Sequence, residues 1–223
     1  MAIDRLKVLT TMMDQGVIPV FYNPDVELCK NVIKACADGG AKCVEFTNRG
    51  DFASHVFYEC ATHFAKADPS VILGVGSCID APTAGIYVAN GARFVVGSLL
   101  NPDVAKFCNR RKIAYCPGCG SATEISQAEE LGCEIVKVFP GSCVGGPSFV
   151  KSVLGPTPWT RIMPTGGVDA TEESLTAWFK AGVACVGIGS KLITKELLAA
   201  KDYKGIEKKV ASTIALIRSI RGK

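Results

Sequence analysis

A single pattern repeats along these 223 residues and restricts the fold more than any other feature: a short β-branched run ends in Gly, Pro, Ser or Asn, and an amphipathic helix pattern follows. The runs are residues 17–22, 43–48, 71–77, 93–98, 113–117, 135–140, 161–165 and 185–190. Helical patterns lie between them, as at 25–38, 124–131, 172–181 and 206–220, and a further helix at 3–15 precedes the first run. Asn101-Pro102 and Ser121 are cap-like helix starts, and Gly39, Gly91, Gly132 and Gly182 are helix stops. The runs are apolar throughout rather than alternating, which suits parallel strands covered on both faces. Eight strand–helix units with right-handed crossovers either close into a barrel or make a doubly wound sheet. The count of eight, with glycine-rich turns after the last two runs, points to a (β/α)8 TIM barrel with an extra N-terminal helix. No Pro/Ser-rich linker or charge run interrupts the chain, so residues 1–223 are expected to form one domain.

Eleven cysteines, an odd number, run from Cys29 to Cys185. Residues 1–16 are charged and polar, and no stretch reaches the roughly 18 consecutive apolar residues of a membrane span. Free thiols in a reducing cytosol account for the cysteines better than a disulfide framework, so the expected location is cytoplasmic. The net charge of +4 is too small and too scattered to indicate nucleic acid. A basic cluster near the end (Lys201, Lys204, Lys208, Lys209, Arg218, Arg221 and Lys223) reads as a solvated helix face. Trp159 and Trp178 read as ordinary packing residues.

Two strand-like runs carry a charge where a doubly covered strand should have none. In Glu134-Ile135-Val136-Lys137-Val138-Phe139-Pro140, Lys137 either reaches a rim or bears a large desolvation cost. Burial favours the uncharged form of an amine, and a Schiff-base nucleophile needs that form. Alternation places Ile135 and Phe139 on the same face as Lys137. In Cys43-Val44-Glu45-Phe46-Thr47-Asn48-Arg49, an inward Glu45 takes Cys43 and Thr47 inward and sends Val44 and Phe46 out towards the helices. A buried ion pair is a poor device for stability, so two opposite charges converging on one mouth suggest chemistry. Such a pair is expected to titrate together.

Pro164-Thr165-Gly166-Gly167 follows the seventh run and Gly187-Ile188-Gly189-Ser190 closes the eighth. Glycines let backbone N–H groups approach an anion, a following helix N-terminus adds positive potential, and phosphate sits at these two loops on this kind of barrel. Cys116-Pro117-Gly118-Cys119 has the spacing of a redox dithiol or half a zinc site. No second close Cys/His pair completes a zinc set, and His55 and His63 fall on one helix, so small apolar packing is the better reading.

These runs together resemble the family of 2-keto-3-deoxy-6-phosphogluconate (KDPG) and 4-hydroxy-2-oxoglutarate (KHG) aldolases, over nearly the whole chain from about Val17 to Ser190. The specific pieces are V-E-F-T-N-R, G-V-G-S, K-V-F-P-G, P-T-G-G-V and G-I-G-S, in order. The resemblance implies that Lys137 is the Schiff-base lysine, Glu45 the acid/base group and Arg49 the grip on the substrate carboxylate. It implies that Ser77 keeps the hydroxyl of a usual threonine, that Thr165 lies beside the bound pyruvyl group, and that Gly166, Gly167, Gly189 and Ser190 hold phosphate. Pro117, ending the fifth run, and Phe139 complete the expected substrate-binding set. Val96-Gly97-Ser98 and Phe21-Tyr22-Asn23 depart from the family pattern at the mouth.

The implied reaction is retro-aldol cleavage of KDPG-type substrates to pyruvate and glyceraldehyde 3-phosphate, with 4-hydroxy-2-oxoglutarate going to pyruvate and glyoxylate. The resemblance also implies a cytoplasmic homotrimer that uses no metal or organic cofactor. Three alternatives are a 2-keto-3-deoxy-6-phosphogalactonate aldolase, a phosphate-binding barrel of other chemistry such as a sugar-phosphate isomerase or thiamine phosphate synthase, and a non-catalytic binder. The barrel of other chemistry accounts for the glycine loops but not for Lys137 with Glu45. A fourth, a C-P-G-C redox protein, would need Cys116 and Cys119.

Overall fold

The computed structural model describes residues 4–222. Each of the eight expected runs carries a strand, trimmed where its Gly, Pro, Ser or Asn turns the chain away. Strand β1 (Val17–Phe21), β2 (Cys43–Thr47), β3 (Ile72–Gly76) and β4 (Phe94–Val96) follow helices or turns in strict alternation. The fifth run carries β5 (Ala114–Cys116), and a further short strand, β6 (Gly118–Cys119), lies just beyond the run, separated from β5 by Pro117, which has no N–H to give a ladder. β7 (Val136–Val138), β8 (Ile162–Pro164) and β9 (Val186–Ile188) complete the set.

The helices are α1 (Arg5–Gln15), α2 (Val26–Asp38), α3 (Ala53–Ala67), α4 (Ala81–Ala89), α5 (Pro102–Arg111), α6 (Ala122–Glu130), α7 (Gly146–Leu154), α8 (Glu172–Lys180), α9 (Lys195–Ala199) and α10 (Tyr203–Arg221). Ile3 of the expected first helix, and Lys223, lie outside the described residues. The expected starts hold: Asn101 accepts from the N–H groups of Asp103 and Val104 ahead of Pro102, and Ser121 accepts from Glu124 N–H. Gly39 follows α2 as expected, but it is Gly40 that takes the left-handed turn, at φ 96°. Gly91, Gly132 and Gly182 sit one residue past their helix caps at positive φ, where a glycine avoids the strain of a Cβ.

All the strand pairs are parallel. Six strands form one sheet in the order β5-β4-β3-β2-β1-β9, a half-barrel, and three form a second in the order β6-β7-β8. A parallel bridge between Thr165 and Gly187 runs from the end of β8 to β9.

The two faces of the strands bury different residues. Towards the helices lie Val17, Val44, Phe46, Val75, Val95, Tyr115, Val136, Val138, Ile162 and Val186. On the concave side lie Ile18, Cys43, Ile72, Phe94, Val96, Ala114, Cys116, Ile135, Met163 and Cys185, with Val8, Leu9 and Met12 of α1 packed against them. Cys43, Cys116 and Cys185 serve here as small apolar fillers, which accounts for part of the cysteine count. Cys119 packs on the opposite side from Cys116, so the two thiols of the C-P-G-C run face away from each other. Burial raises both thiols, Cys119 to about 12, and suppresses the thiolate that redox exchange needs.

α1 therefore closes the amino-terminal end of the strands, and two residues fasten it. Arg5 donates to Glu134, at 2.7 Å, to Asn109 Oδ1 and to the Gly132 carbonyl. Gln15, buried, donates to the carbonyls of Val17 and Cys43 and accepts from Cys43 N–H. Gln15→Leu would strand those groups at roughly 1–3 kcal/mol for each left unpaired in the interior. We expect a clear fall in the denaturation midpoint with the urea m-value unchanged.

Two surface expectations need correction. Arg221 is not on the solvated face: it is half-buried, donates to the Met13 and Ala184 carbonyls, and lies 4.5 Å from the Phe179 ring centroid. Lys201 precedes α10 rather than lying on it, at φ 50°. Trp178 is buried as expected, but Trp159 is 68% exposed, because it stands at the mouth of a groove between α6 and α7 with no partner element over it.

Candidate active site

At the carboxyl ends of the strands the concave side changes from apolar to polar. Above Cys43 come Glu45 and Thr47, above Ile135 come Lys137 and Phe139, and above Met163 comes Thr165, as a two-residue period requires. Glu45 and Lys137 are 1% and 5% exposed. They come from strands far apart in sequence, yet the Lys137 charge is felt at Glu45. The expected inward placement of Glu45 with Cys43 and Thr47, and of Lys137 with Ile135, is what the packing has.

Small residues make room for the carboxyl. Glu45 pairs in register with Gly74 of β3, and a Cβ on Gly76 would lie 1.8 Å from Glu45 Oε1. Gly187 does the same for Thr165, whose Oγ1 would be 2.4 Å from a Cβ there. Gly76→Ala should push the Glu45 carboxyl aside, and a misplacement of about 1 Å can cost roughly 100-fold in turnover. A steady-state assay of G76A beside its circular dichroism spectrum checks this.

Glu45 Oε2 and Thr165 Oγ1 are buried with no hydrogen-bond partner, whereas nearly all buried polar atoms have one. A third such atom, Thr160 Oγ1, lies ahead of β8, at the other end of the strand from Thr165. Two unpartnered oxygens at one mouth mark a place built for a ligand. Burial raises the Glu45 carboxyl above the ordinary carboxylate range, and the positive charges of Lys137 and Arg49 pull it part of the way back. A raised carboxyl is shifted in the direction that general acid–base work requires. Lys137 Nζ lies 4.7 Å from the centroid of the Phe139 ring, which holds the side chain on the inner face. Its backbone N–H donates to the Pro117 carbonyl at 2.9 Å.

Phe139, Thr47 and Thr165 line a cleft of about 640 Å³, within the range of small-ligand sites. Arg49, Gly166, Gly167, Gly189 and Ser190 line it as well. Gly166 and Gly167 have φ of 84° and 77°, a left-handed pair that strain would deny to other residues. Ser77 and Pro117 are not on this wall. Ser77 follows β3 at φ 62°, and Pro117 is buried beside Lys137. The expected helix N-terminus behind the glycine loops is missing: α8 begins five residues after Gly167, and the segment after Ser190 leads only to the five-residue α9. Any anion held there must rely on loop N–H groups and side chains.

The cleft also carries Lys191, Lys195 and Asp169, which the sequence did not single out. Lys191 directly follows the G-I-G-S turn, and that adjacency was the available signal. Tyr22, one of the departures at the end of β1, lines the cleft with its ring edge-on to Phe46 at 5.6 Å. Among the described residues no group of three or more His, Cys, Asp or Glu side chains could hold a metal ion, and no helix is long and apolar enough to cross a membrane.

Residues 8–209 match the family model of KDPG and KHG aldolase. A 2-dehydro-3-deoxy-phosphogluconate aldolase of Treponema pallidum is 30% identical over 201 residues, 90% of this chain and 93% of its own. A KHG/KDPG aldolase of Escherichia coli K12 is 28% identical over 192 residues, 86% of this chain and 87% of its own. The fold matches, with a TM-score of 0.83, the crystal structure of a KDPG aldolase from Legionella pneumophila with pyruvate captured at low pH as a covalent carbinolamine intermediate. That protein is 24% identical, and the match covers 94% of this chain and 97% of the other.

Proposed function

Because the chain belongs to the KDPG and KHG aldolase family, we propose that its cleft cleaves KDPG to pyruvate and glyceraldehyde 3-phosphate through a Schiff base on Lys137. It is a class I aldolase, a carbon–carbon lyase. One observation carries the residue assignment: a lysine and a carboxyl from distant strands are buried, 5% and 1% exposed, with the lysine's charge acting on the carboxyl, and the residues two further along each run, Phe139 and Thr47, line the cleft.

The unprotonated Lys137 amine adds to the C2 ketone and forms a carbinolamine. Glu45 gives the proton with which the oxygen leaves as water, and an iminium remains. Glu45, now ionised, takes the proton from the C4 hydroxyl. The C3–C4 bond breaks, its electron pair moves into the iminium to give an enamine, and the aldehyde departs. Glu45 returns that proton to C3 of the enamine, and water hydrolyses the resulting iminium to pyruvate and free Lys137, leaving its spare proton on Glu45. Arg49 holds the carboxylate, and the unpartnered Thr165 hydroxyl meets the pyruvyl group. Gly166, Gly167, Gly189 and Ser190 receive the phosphate. Ser77 acts from the end of β3, and Pro117 from its buried place beside Lys137. 4-Hydroxy-2-oxoglutarate is cleaved to pyruvate and glyoxylate by the same steps.

The architecture we propose for the site is a closed (β/α)8 barrel, one domain over residues 1–223 with an extra helix at its amino-terminal end. Two observations support closure: Pro117 alone separates β5 from β6, and the Thr165–Gly187 bridge spans the other gap between the sheets. A cytoplasmic homotrimer without metal or organic cofactor is part of the same proposal, and sedimentation tests its mass. The test of function is retro-aldol assay of a panel of 2-keto-3-deoxy acids with lactate dehydrogenase reporting pyruvate. KDPG should be cleaved faster than its galactonate epimer; an inert response to the whole panel would refute the reading.

A further inference from the structure

The wall of the cleft holds three cations, Arg49, Lys191 and Lys195, and one anion, Asp169. Arg49 lies two residues past the end of β2, the strand that carries Glu45, and takes the carboxylate beside the reacting ketone. The end of β1 supplies no charge to the far wall: it reads Phe21-Tyr22-Asn23, and the Tyr22 ring is committed to Phe46. The positive charge near the glycine loops therefore comes from the segment after β9.

That segment is fixed by the N–H groups of Leu192 and Ile193, which both donate to the Gly189 carbonyl, at 2.9 and 3.0 Å. Lys191 Nζ lies 3.7 Å from Asp169 Oδ1, with the two side chains 68% and 47% exposed. So long and so wet a pair contributes little and exchanges readily for a ligand oxyanion. Lys195 stands in no ion pair among the described residues. A neutral tail leaves the Lys191–Asp169 pair intact, and a single carboxylate can be met by Lys195 alone. A phosphate monoester carries close to two charges at neutral pH and three acceptor oxygens, enough to draw Lys191 from Asp169 as well.

Resting on the aldolase reading, we infer that Lys191 and Lys195, with Asp169 as counter-charge, read the charge at the far end of the substrate and make the cleft select a dianionic phosphate over a monocarboxylate or neutral tail. Asp169 sharpens the discrimination, because it shares Lys191 with any incoming anion and a dianion competes for that lysine best.

The experiment compares three substrates on the full-length enzyme: KDPG, unphosphorylated 2-keto-3-deoxygluconate and 4-hydroxy-2-oxoglutarate. Lys191→Ala and Lys195→Ala should each lower kcat/KM for KDPG roughly 10-fold or more, through KM, the size expected for a lost charge-assisted hydrogen bond. For the neutral tail the change should stay below about 3-fold, since uncharged groups gain little from a screened surface cation. Asp169→Asn should raise kcat/KM for 4-hydroxy-2-oxoglutarate and narrow the gap to KDPG. Equal losses on all three substrates, no loss on any, or losses in kcat with KM unchanged would overturn the inference. Pyruvate with borohydride must still modify both lysine variants. If wild-type protein itself fails to form that adduct, the aldolase reading falls and takes this inference with it.

Discussion

Lys137→Met is expected to reduce retro-aldol turnover by on the order of 10⁴–10⁶-fold, the range over which loss of a covalent nucleophile is felt, while the protein folds as before. Methionine has nearly the length of lysine and fills the same slot beside Phe139, but it cannot form an imine. The site is 5% exposed and sits in the middle of β7, between the Pro117 and Met163 backbones, so the strand itself does not depend on the amine. Removing a polar group from such a place should leave the thermal midpoint equal or higher. Coupled-enzyme rates beside thermal unfolding separate the two effects. Turnover within about tenfold of wild type is too fast for a chain lacking its nucleophile, and would move the chemistry away from Lys137.

Glu45→Gln should slow turnover about 10²–10⁴-fold, the usual contribution of a general acid–base group. Its effect on stability should have the opposite sign. Burial raises the carboxyl in the folded protein above its unfolded value. Between those two values the folded state binds more protons than the unfolded one, so this group's stability is fully present at low pH and is lost as pH rises through the raised folded value. Glutamine carries no such charge. The variant should therefore gain stability over wild type as pH climbs from the ordinary carboxylate range towards neutrality, and the gain should vanish in acid. Urea denaturation of both proteins across that range measures the difference. A variant as active as wild type, or less stable at neutral pH, would remove Glu45 from the role given it here.

Much of the site was legible because a two-residue period is rigid. Once Glu45 and Lys137 stand inside apolar runs, alternation decides which neighbours share their face, and Cys43, Thr47, Ile135 and Phe139 fell where that rule put them. The repeated run-and-helix pattern was equally readable, since burial on both faces leaves few options for a charged residue. Strand ends were not, because hydrogen bonding stops where loops peel away, and the apolar character of a sequence continues past that point. Lys191, Lys195 and Asp169 carry no such signal, because each looks like any exposed charge until the folded loops bring it to the cleft. Arg221 is the converse case: helical spacing puts it among surface lysines, whereas the carbonyls of Met13 and Ala184 that draw it inward come from distant parts of the chain. Trp159 shows the limit of composition, for a large apolar side chain predicts burial only where some element covers it.

The most direct measurement is to incubate the protein with pyruvate, reduce with borohydride and map the adduct by peptide mass spectrometry. The account predicts one stable adduct, on the peptide containing Lys137, formed only when both reagents are present and absent from Lys137→Met. An adduct on a different lysine, or intact activity after reduction in the presence of pyruvate, would contradict it.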